Sequence, residues 1–272
     1  METTRTNNAC PAAIKNCLSG TKRLYKKKYL FILFFTSLVI NILLTSCDND
    51  GYSLGNLNGD YGVVNKIDEN NYTVTTDYGN ILFPSASNIS GAYLKNKDRI
   101  IVDYSVLADA PADSPYDYFV KVNSIYKILN KDILPYRAEE SDSLGNDPVS
   151  IGKVWIANDY ITFDFLFLGG ASGQRHMVNL VKKPELSSDN RIVLNFRHNA
   201  FGDIQKYSLR GLVAFPTSGI IESPQDSVPL RIVYKGQGKD EISFDFTWKL
   251  HEDTPGQMNI SPKELSTGFT LQ

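Results

Sequence analysis

The sequence predicts an all-β protein, an OB-fold-like barrel of five strands followed by a β-sandwich of seven. Three observations predict it. Apolar and polar residues alternate at a period of two through many short segments, which is the pattern of half-buried strands. Clusters of Asn, Asp, Gly and Pro bound those segments, as turns between strands require. No stretch carries a convincing helical period. At 42% hydrophobic and 21% charged residues, the chain has the composition of a globular protein rather than a disordered or multi-span membrane one.

The barrel is expected over residues 60–138. Gly62–Ile67 and Tyr72–Thr76 flank the turn cluster Asp68-Glu69-Asn70-Asn71. A second turn, Asp77-Tyr78-Gly79-Asn80, precedes Ile81-Leu82-Phe83, and Pro84 ends that strand. Arg99–Leu107 and Tyr118–Leu129 supply the last two strands. Five short strands in this span suit a small, partly open barrel, although periodicity alone does not separate an OB-fold from another five-stranded barrel. Residues 139–148, Glu139 to Pro148, are acidic and turn-rich and read as a linker.

The sandwich is expected over residues 149–272. Its strands are Val149–Ala157, Tyr160–Leu168, His176–Lys183, Arg191–Arg197, Lys206–Phe215, Val228–Tyr234 and Asp240–Lys249. Alternation is clearest in two of them. Ile161, Phe163, Phe165 and Phe167 oppose Thr162 and Asp164, while Ile242, Phe244, Phe246 and Trp248 oppose Ser243, Asp245, Thr247 and Lys249. Each aromatic face should meet the other inside, with Thr162 and Ser243 facing water.

Charge is unevenly spread. The net charge is −2, yet residues 1–46 hold seven Lys/Arg and one acid, leaving an acidic body. Lys22, Arg23, Lys26, Lys27 and Lys28 precede an apolar run from Tyr29 to Leu44, and Leu44-Thr45-Ser46-Cys47 follows. A basic region, an apolar region and small residues are the parts of a secretory signal. The last four residues resemble a bacterial lipobox, which implies cleavage before Cys47 and lipidation of its thiol. Each buried methylene adds about 0.8 kcal/mol, so two or more acyl chains hold a protein stably on a bilayer. The competing reading is an uncleaved membrane helix. Tyr29–Ser46 would span about 27 Å against a core of about 30 Å and contains Asn41, so the lipoprotein reading is preferred. Cys10 and Cys17 fall in the leader, leaving Cys47 as the only cysteine of the expected mature chain. Residues 47–59, rich in Gly and Asn, read as a flexible tether.

Several segments, taken in order, resemble the NigD-like lipoproteins of Bacteroidota. They are Asp98–Tyr104, Tyr118–Leu129, Val154-Trp155-Ile156, Tyr160–Phe163, His176–Leu180 and Arg197-His198-Asn199. The resemblance implies an N-terminal OB-fold, a C-terminal β-sandwich and a cell-envelope address. It implies no chemistry, because none of these segments is a catalytic motif.

The residues themselves offer few sites. His176 and His198 stand at strand ends and could meet Asp164 or Asp203, but no short spacing supplies a three- or four-ligand metal set. His251 stands apart. Gly170-Ala171-Ser172-Gly173 lacks the second Gly of a nucleophile elbow, since Gln174 occupies that place. Tyr61, Tyr72, Tyr78, Tyr93 and Tyr104 could stack on bases, but the acidic body opposes phosphate. Asp142-Ser143-Leu144 and Asp226-Ser227-Val228 resemble the O-glycosylation acceptors of Bacteroidota, which makes Ser143 and Ser227 candidates.

The expectation is therefore a non-enzymatic, lipid-anchored envelope protein of the outer membrane, with no cofactor, metal or nucleic acid. Its partners would be the membrane, through lipid on Cys47, and a protein or glycan. Carbohydrate binding and bacteriocin self-protection are the alternatives.

Overall fold

The computed structural model describes residues 52–140, 142–170, 173–221, 226–238 and 241–249, with the backbone of 256–259. The expected signal peptide, Cys47, Ala171, Ser172 and His251 lie outside the described residues. The barrel consists of β1 (Asn58–Lys66), β2 (Tyr72–Thr76), β3 (Ile81–Ser87), β4 (Arg99–Asp109) and β5 (Tyr118–Lys127). They close in the order β1-β2-β3-β5-β4, with β4 returning to pair with β1. Closure removes the edge strands that a five-stranded sheet would otherwise expose. The expected turns form where their residues dictate. Asp68 Oδ1 accepts from the amides of Asn70 and Asn71 at 2.9 and 2.8 Å, closing the β1–β2 turn. Inside, alternate residues Val64, Val74, Leu82, Ile100, Val102, Val120 and Val122 build one apolar core.

The chain enters the sandwich earlier than composition suggests. β6 (Leu129–Asn130) and β7 (Leu134–Pro135) leave the barrel and pair in parallel with later strands of both sandwich sheets. Next come β8 (Val149–Ala157), β9 (Tyr160–Gly169), β10 (Met177–Leu186), β11 (Ile192–Asn199) and β12 (Tyr207–Pro216). β13 (Ser227–Lys235), β14 (Glu241–Lys249) and β15 (Gly256–Asn259) complete the chain. One sheet runs β14-β13-β11-β10-β7 and the other β15-β8-β9-β12-β6. All seven expected strands are present, and the three short ones, β6, β7 and β15, extend the sheets. Lys131 Nζ, buried enough that its pKa falls below the usual lysine range, ties the crossover to β10 through Val178 O at 2.8 Å.

Residues 142–148 are likewise not a free linker. Asn199 Nδ2 donates to Ser143 O, Arg197 Nε to Gly145 O, and the Asp147 amide to His198 O, at 2.7–3.0 Å. The low apolar content that suggested a linker reflects polar bonding along β11. The expected flexible tether is also shorter, because Tyr52 and Leu54 are bonded to β4.

The two sheets enclose Phe163, Phe165, Phe196 and Phe215, and Phe163 lies 5.0 Å from Phe196 and 5.9 Å from Phe215, centre to centre. Phe244, Phe246 and Trp248 pack on this core from β14 while Ser243 is exposed, as alternation predicts, but Ile242 near the start of the strand is exposed rather than in the core. Thr162 is different. It is fully buried, because the outer face of β9 is covered by the barrel.

That covering forms a seam. Val63, Ile128, Tyr160 and Ala214 bury together, with Tyr61, Ile101 and Leu212 against them, and Tyr61 meets Trp155 edge-on at 4.8 Å. At its centre the fully buried Arg99 of β4 grips Asp77 with two guanidinium bonds. Three sandwich side chains complete the pair. Trp155 Nε1 and Asn158 Nδ2 donate to Asp77 at 2.7 and 3.1 Å, and Arg99 Nε donates to Thr162 Oγ1 at 3.3 Å. Asn158 and Asp159 form a two-residue hairpin turn with φ of 50° and 65°, the geometry that matches strand twist. The turn carries Asn158 to the barrel, where it also bonds Thr76 O at 3.0 Å. From Tyr52 onward the chain is one compact unit.

Candidate functional site

β11 belongs to one sheet and β12 to the other, so the chain crosses the end of the sandwich between Asn199 and Tyr207. The crossing is tightly specified. Asn199 Oδ1 accepts from the Phe201 amide at 2.8 Å, Ala200 N donates to Asp147 Oδ2 at 2.6 Å, and Asp203 N donates to Ala200 O at 3.0 Å. Phe201 and Gly202 both take left-handed conformations, with φ of 51° and 76°. Glycine does so freely, whereas a phenylalanine there costs on the order of 1–3 kcal/mol. The strained ring is not buried in return. Phe201 is 56% exposed and Ile204 71%, so neither contributes much to the core.

The loop is held from beneath by a polar chain. Asp203 Oδ2 accepts from Gly170 N at 2.7 Å and meets His176 Nε2 at 3.0 Å, and His176 Nδ1 lies 3.0 Å from His198 Nε2. A carboxylate only accepts, so neutral His176 carries its proton on Nε2 and offers Nδ1 as an acceptor. His198 then donates from Nε2 and leaves Nδ1 bare. That atom is buried without a hydrogen-bond partner. Burial first, and the neighbouring His176 second, push the His198 pKa down to about 4. Phe167 packs on both imidazoles, at 4.8 and 5.3 Å.

Beyond the loop, β12 pairs with β9 along its whole length on one side. On the other side only Val213 and Ala214 are taken, by β6. Among the described residues, the outer edge from Tyr207 to Leu212 therefore has no strand partner. Tyr207, Ser208, Leu209 and Arg210 are all exposed. Lys206 Nζ lies 5.1 Å over the Tyr207 ring, and the Lys206 amide bonds Gly169 O, drawing edge and loop together.

The structure thus brings His176, His198 and Asp203 together, two of the three by direct hydrogen bond to His176 and all as a structural support. Asp164 instead pairs with Arg210. Among the described residues no group of three or more His, Cys, Asp or Glu is arranged to hold a metal. Of the five tyrosines considered for stacking, Tyr72 and Tyr104 are buried and Tyr61 lies in the seam, while Tyr78 and Tyr93 are exposed. Ser143 and Ser227 are both exposed, Ser227 as the first residue of β13. Sequence reasoning missed Phe201, Ile204, Tyr207 and Leu209. The available signal was an aromatic and an isoleucine set among turn formers in Asn199-Ala200-Phe201-Gly202-Asp203-Ile204.

A closed barrel locked onto a β-sandwich that displays an apolar loop defines a class of two-domain, all-β proteins. The chain belongs to the NigD-like family: residues 61–128 match the NigD-like N-terminal OB domain and residues 132–259 the NigD-like C-terminal beta sandwich domain. It is similar to the crystal structure of a protein from Parabacteroides distasonis described as toxin related, with 29% identity and a TM-score of 0.61. That match covers 71% of this chain and 94% of the other. A NigD-like immunity protein from Bacteroides caccae is 18% identical with a TM-score of 0.56, covering 73% and 100%. A Bacteroides fragilis protein described as a lipoprotein is 14% identical with a TM-score of 0.52, covering 71% and 98%. No curated protein matches the chain.

Proposed function

We propose that this protein is a non-enzymatic cell-envelope lipoprotein, anchored through Cys47, that captures a polypeptide partner at the loop end of its sandwich. One observation carries the reading. Phe201 and Ile204 are held in solvent by a hydrogen-bonded, strained turn, beside a stretch of β12 from Tyr207 to Leu212 whose outer edge pairs with no strand among the described residues. An open edge offers alternating amides and carbonyls that another extended chain matches, and flanking apolar groups supply the rest of the affinity. Exposed apolar residues gathered in one place mark interaction sites more often than chance surface. A glycan platform is less well supported. The exposed tyrosines, Tyr52, Tyr78, Tyr93, Tyr126, Tyr136 and Tyr207, come from six different parts of the chain, and Trp155 is buried. The lipobox at Leu44–Cys47 and the lipoprotein description of the B. fragilis neighbour support the envelope address.

The test is photo-crosslinking in intact cells. A crosslinking amino acid at Tyr207 should yield one discrete adduct, lost when Ile204→Asp is added, while the same group at the exposed Ile242 should not. Identical adducts at both positions, or none at Tyr207, would overturn the binding assignment. Separately, Cys47→Ser should abolish palmitate labelling, and labelling that persists would remove the anchor.

A further inference from the structure

We propose that the barrel face carrying Tyr52, Leu54, Leu57 and Leu107 lies against the headgroup layer of the bilayer that holds Cys47. This inference rests on the lipid anchor proposed above.

The segment before β1 is fastened along β4. Tyr52 Oη donates to Asp109 Oδ1 at 2.5 Å and Ser105 Oγ donates to Leu54 O at 3.1 Å, just before β1 begins its own pairing with β4 at Asn58 and Tyr104. The Asp109 carboxylate pushes the Tyr52 hydroxyl pKa up to about 12, so the phenol stays a donor at any physiological pH. Despite this fastening, the apolar side chains point outward. Tyr52 is 49% exposed, Leu54 62% and Leu57 65%. Leu107 lies in β4 between Ser105 and Asp109, the two residues that hold this segment, and is 38% exposed as the extra residue where the β4–β5 register slips between Val106 and Ala108.

Chain length decides what these residues face. Only four residues separate Cys47 from Tyr52, and the five Cα-to-Cα steps between them span at most about 18 Å when fully extended. β1 alone is nine residues, about 30 Å at the usual strand rise. An acylated Cys47 therefore keeps the Tyr52 end of the barrel near the bilayer surface, with Ile67 at the far end of β1. Apolar contacts too weak to bind a free protein suffice once an anchor makes them intramolecular. Exposed Asp109 at the end of β4 and Asp113 on the adjoining loop favour zwitterionic over strongly anionic lipid.

The test uses the full chain, processed and lipidated in cells and reconstituted into phosphatidylcholine vesicles containing a nitroxide-labelled lipid. Lipidation blocks the Cys47 thiol and the leader carries away Cys10 and Cys17, so an introduced cysteine is the one reactive thiol. A fluorophore on Leu57→Cys should be quenched several-fold more than one on Ile67→Cys, and adding Leu54→Glu should reduce the difference. Equal quenching at both sites, or none at either in protein that floats with the vesicles, would overturn the docking face and leave the anchor standing. Protein that fails to float would overturn the anchor, and the docking face with it.

Discussion

Removing the Asp77 carboxylate should destabilise the protein far more than removing any surface acid. Asp77 accepts two bonds from Arg99 and one each from Trp155 and Asn158. In Asp77→Ala the Arg99 guanidinium, with a fully buried side chain, keeps only Thr162 as a side-chain partner among these bonds. Breaking one side of a buried pair costs about 3–5 kcal/mol, because the remaining charge is neither hydrated nor compensated. A domain's whole stability is about 5–15 kcal/mol. The comparison is Asp245→Ala, which disrupts a partly exposed pair with Arg231 and should cost about 0.2–1 kcal/mol. Urea unfolding followed by tryptophan emission reads both, since Trp155 sits in the seam itself. The double variant Asp77→Leu/Arg99→Met should recover most of the loss, because it removes the stranded charge. A loss in Asp77→Ala no larger than in Asp245→Ala would refute the reasoning.

Three further outcomes are expected. His198 has a folded pKa of about 4 against an ordinary 6.5, so the unfolded chain binds the extra proton between those values. The resulting stabilisation, up to about 3 kcal/mol, is complete above pH 6.5 and is lost as pH falls towards 4. Denaturation midpoints of the wild type and His198→Gln should therefore converge in acid; a gap independent of pH would contradict the burial argument. Thr162→Ala should cost about 1 kcal/mol by removing the Arg99 contact, whereas Ser243→Ala should cost about 0.5 kcal/mol or less. Equal costs in urea titrations would place Thr162 outside the seam. Limited proteolysis should spare residues 142–148, which are bonded along β11, and separation into fragments on either side would show that those bonds do not hold.

Strand periodicity made most of the fold legible. The register of Phe163 and Phe165 against the core, and of Ser243 against water, follows from alternation alone. Alternation says which face a residue takes but not what covers that face. Thr162 was expected in water for that reason, and a second domain supplies the cover. Similarly, Arg99 reads as an ordinary strand-initiating charge, and its partner Asp77 as an ordinary turn former. Their pairing is set by barrel closure, and Trp155 and Asn158 join only when the sandwich docks. β6, β7 and β15 are not legible in the sequence because two to four residues carry no period. The site was half legible. His176, His198 and Asp203 read in sequence as metal-ligand types, and the structure makes them the support of a loop whose apolar residues carry no motif.

The outer edge of β12, which pairs with no strand among the described residues between Tyr207 and Leu212, is the feature on which partner binding depends, and hydrogen exchange on the lipid-free mature chain measures it directly. Amides of β12 that point towards β9 should exchange slowly. Between Tyr207 and Leu212, every second amide should point outward and exchange orders of magnitude faster, as unpaired edge groups do. Uniform protection across Tyr207–Leu212 would mean that another part of the chain already occupies that edge, and would contradict a partner-binding role for it.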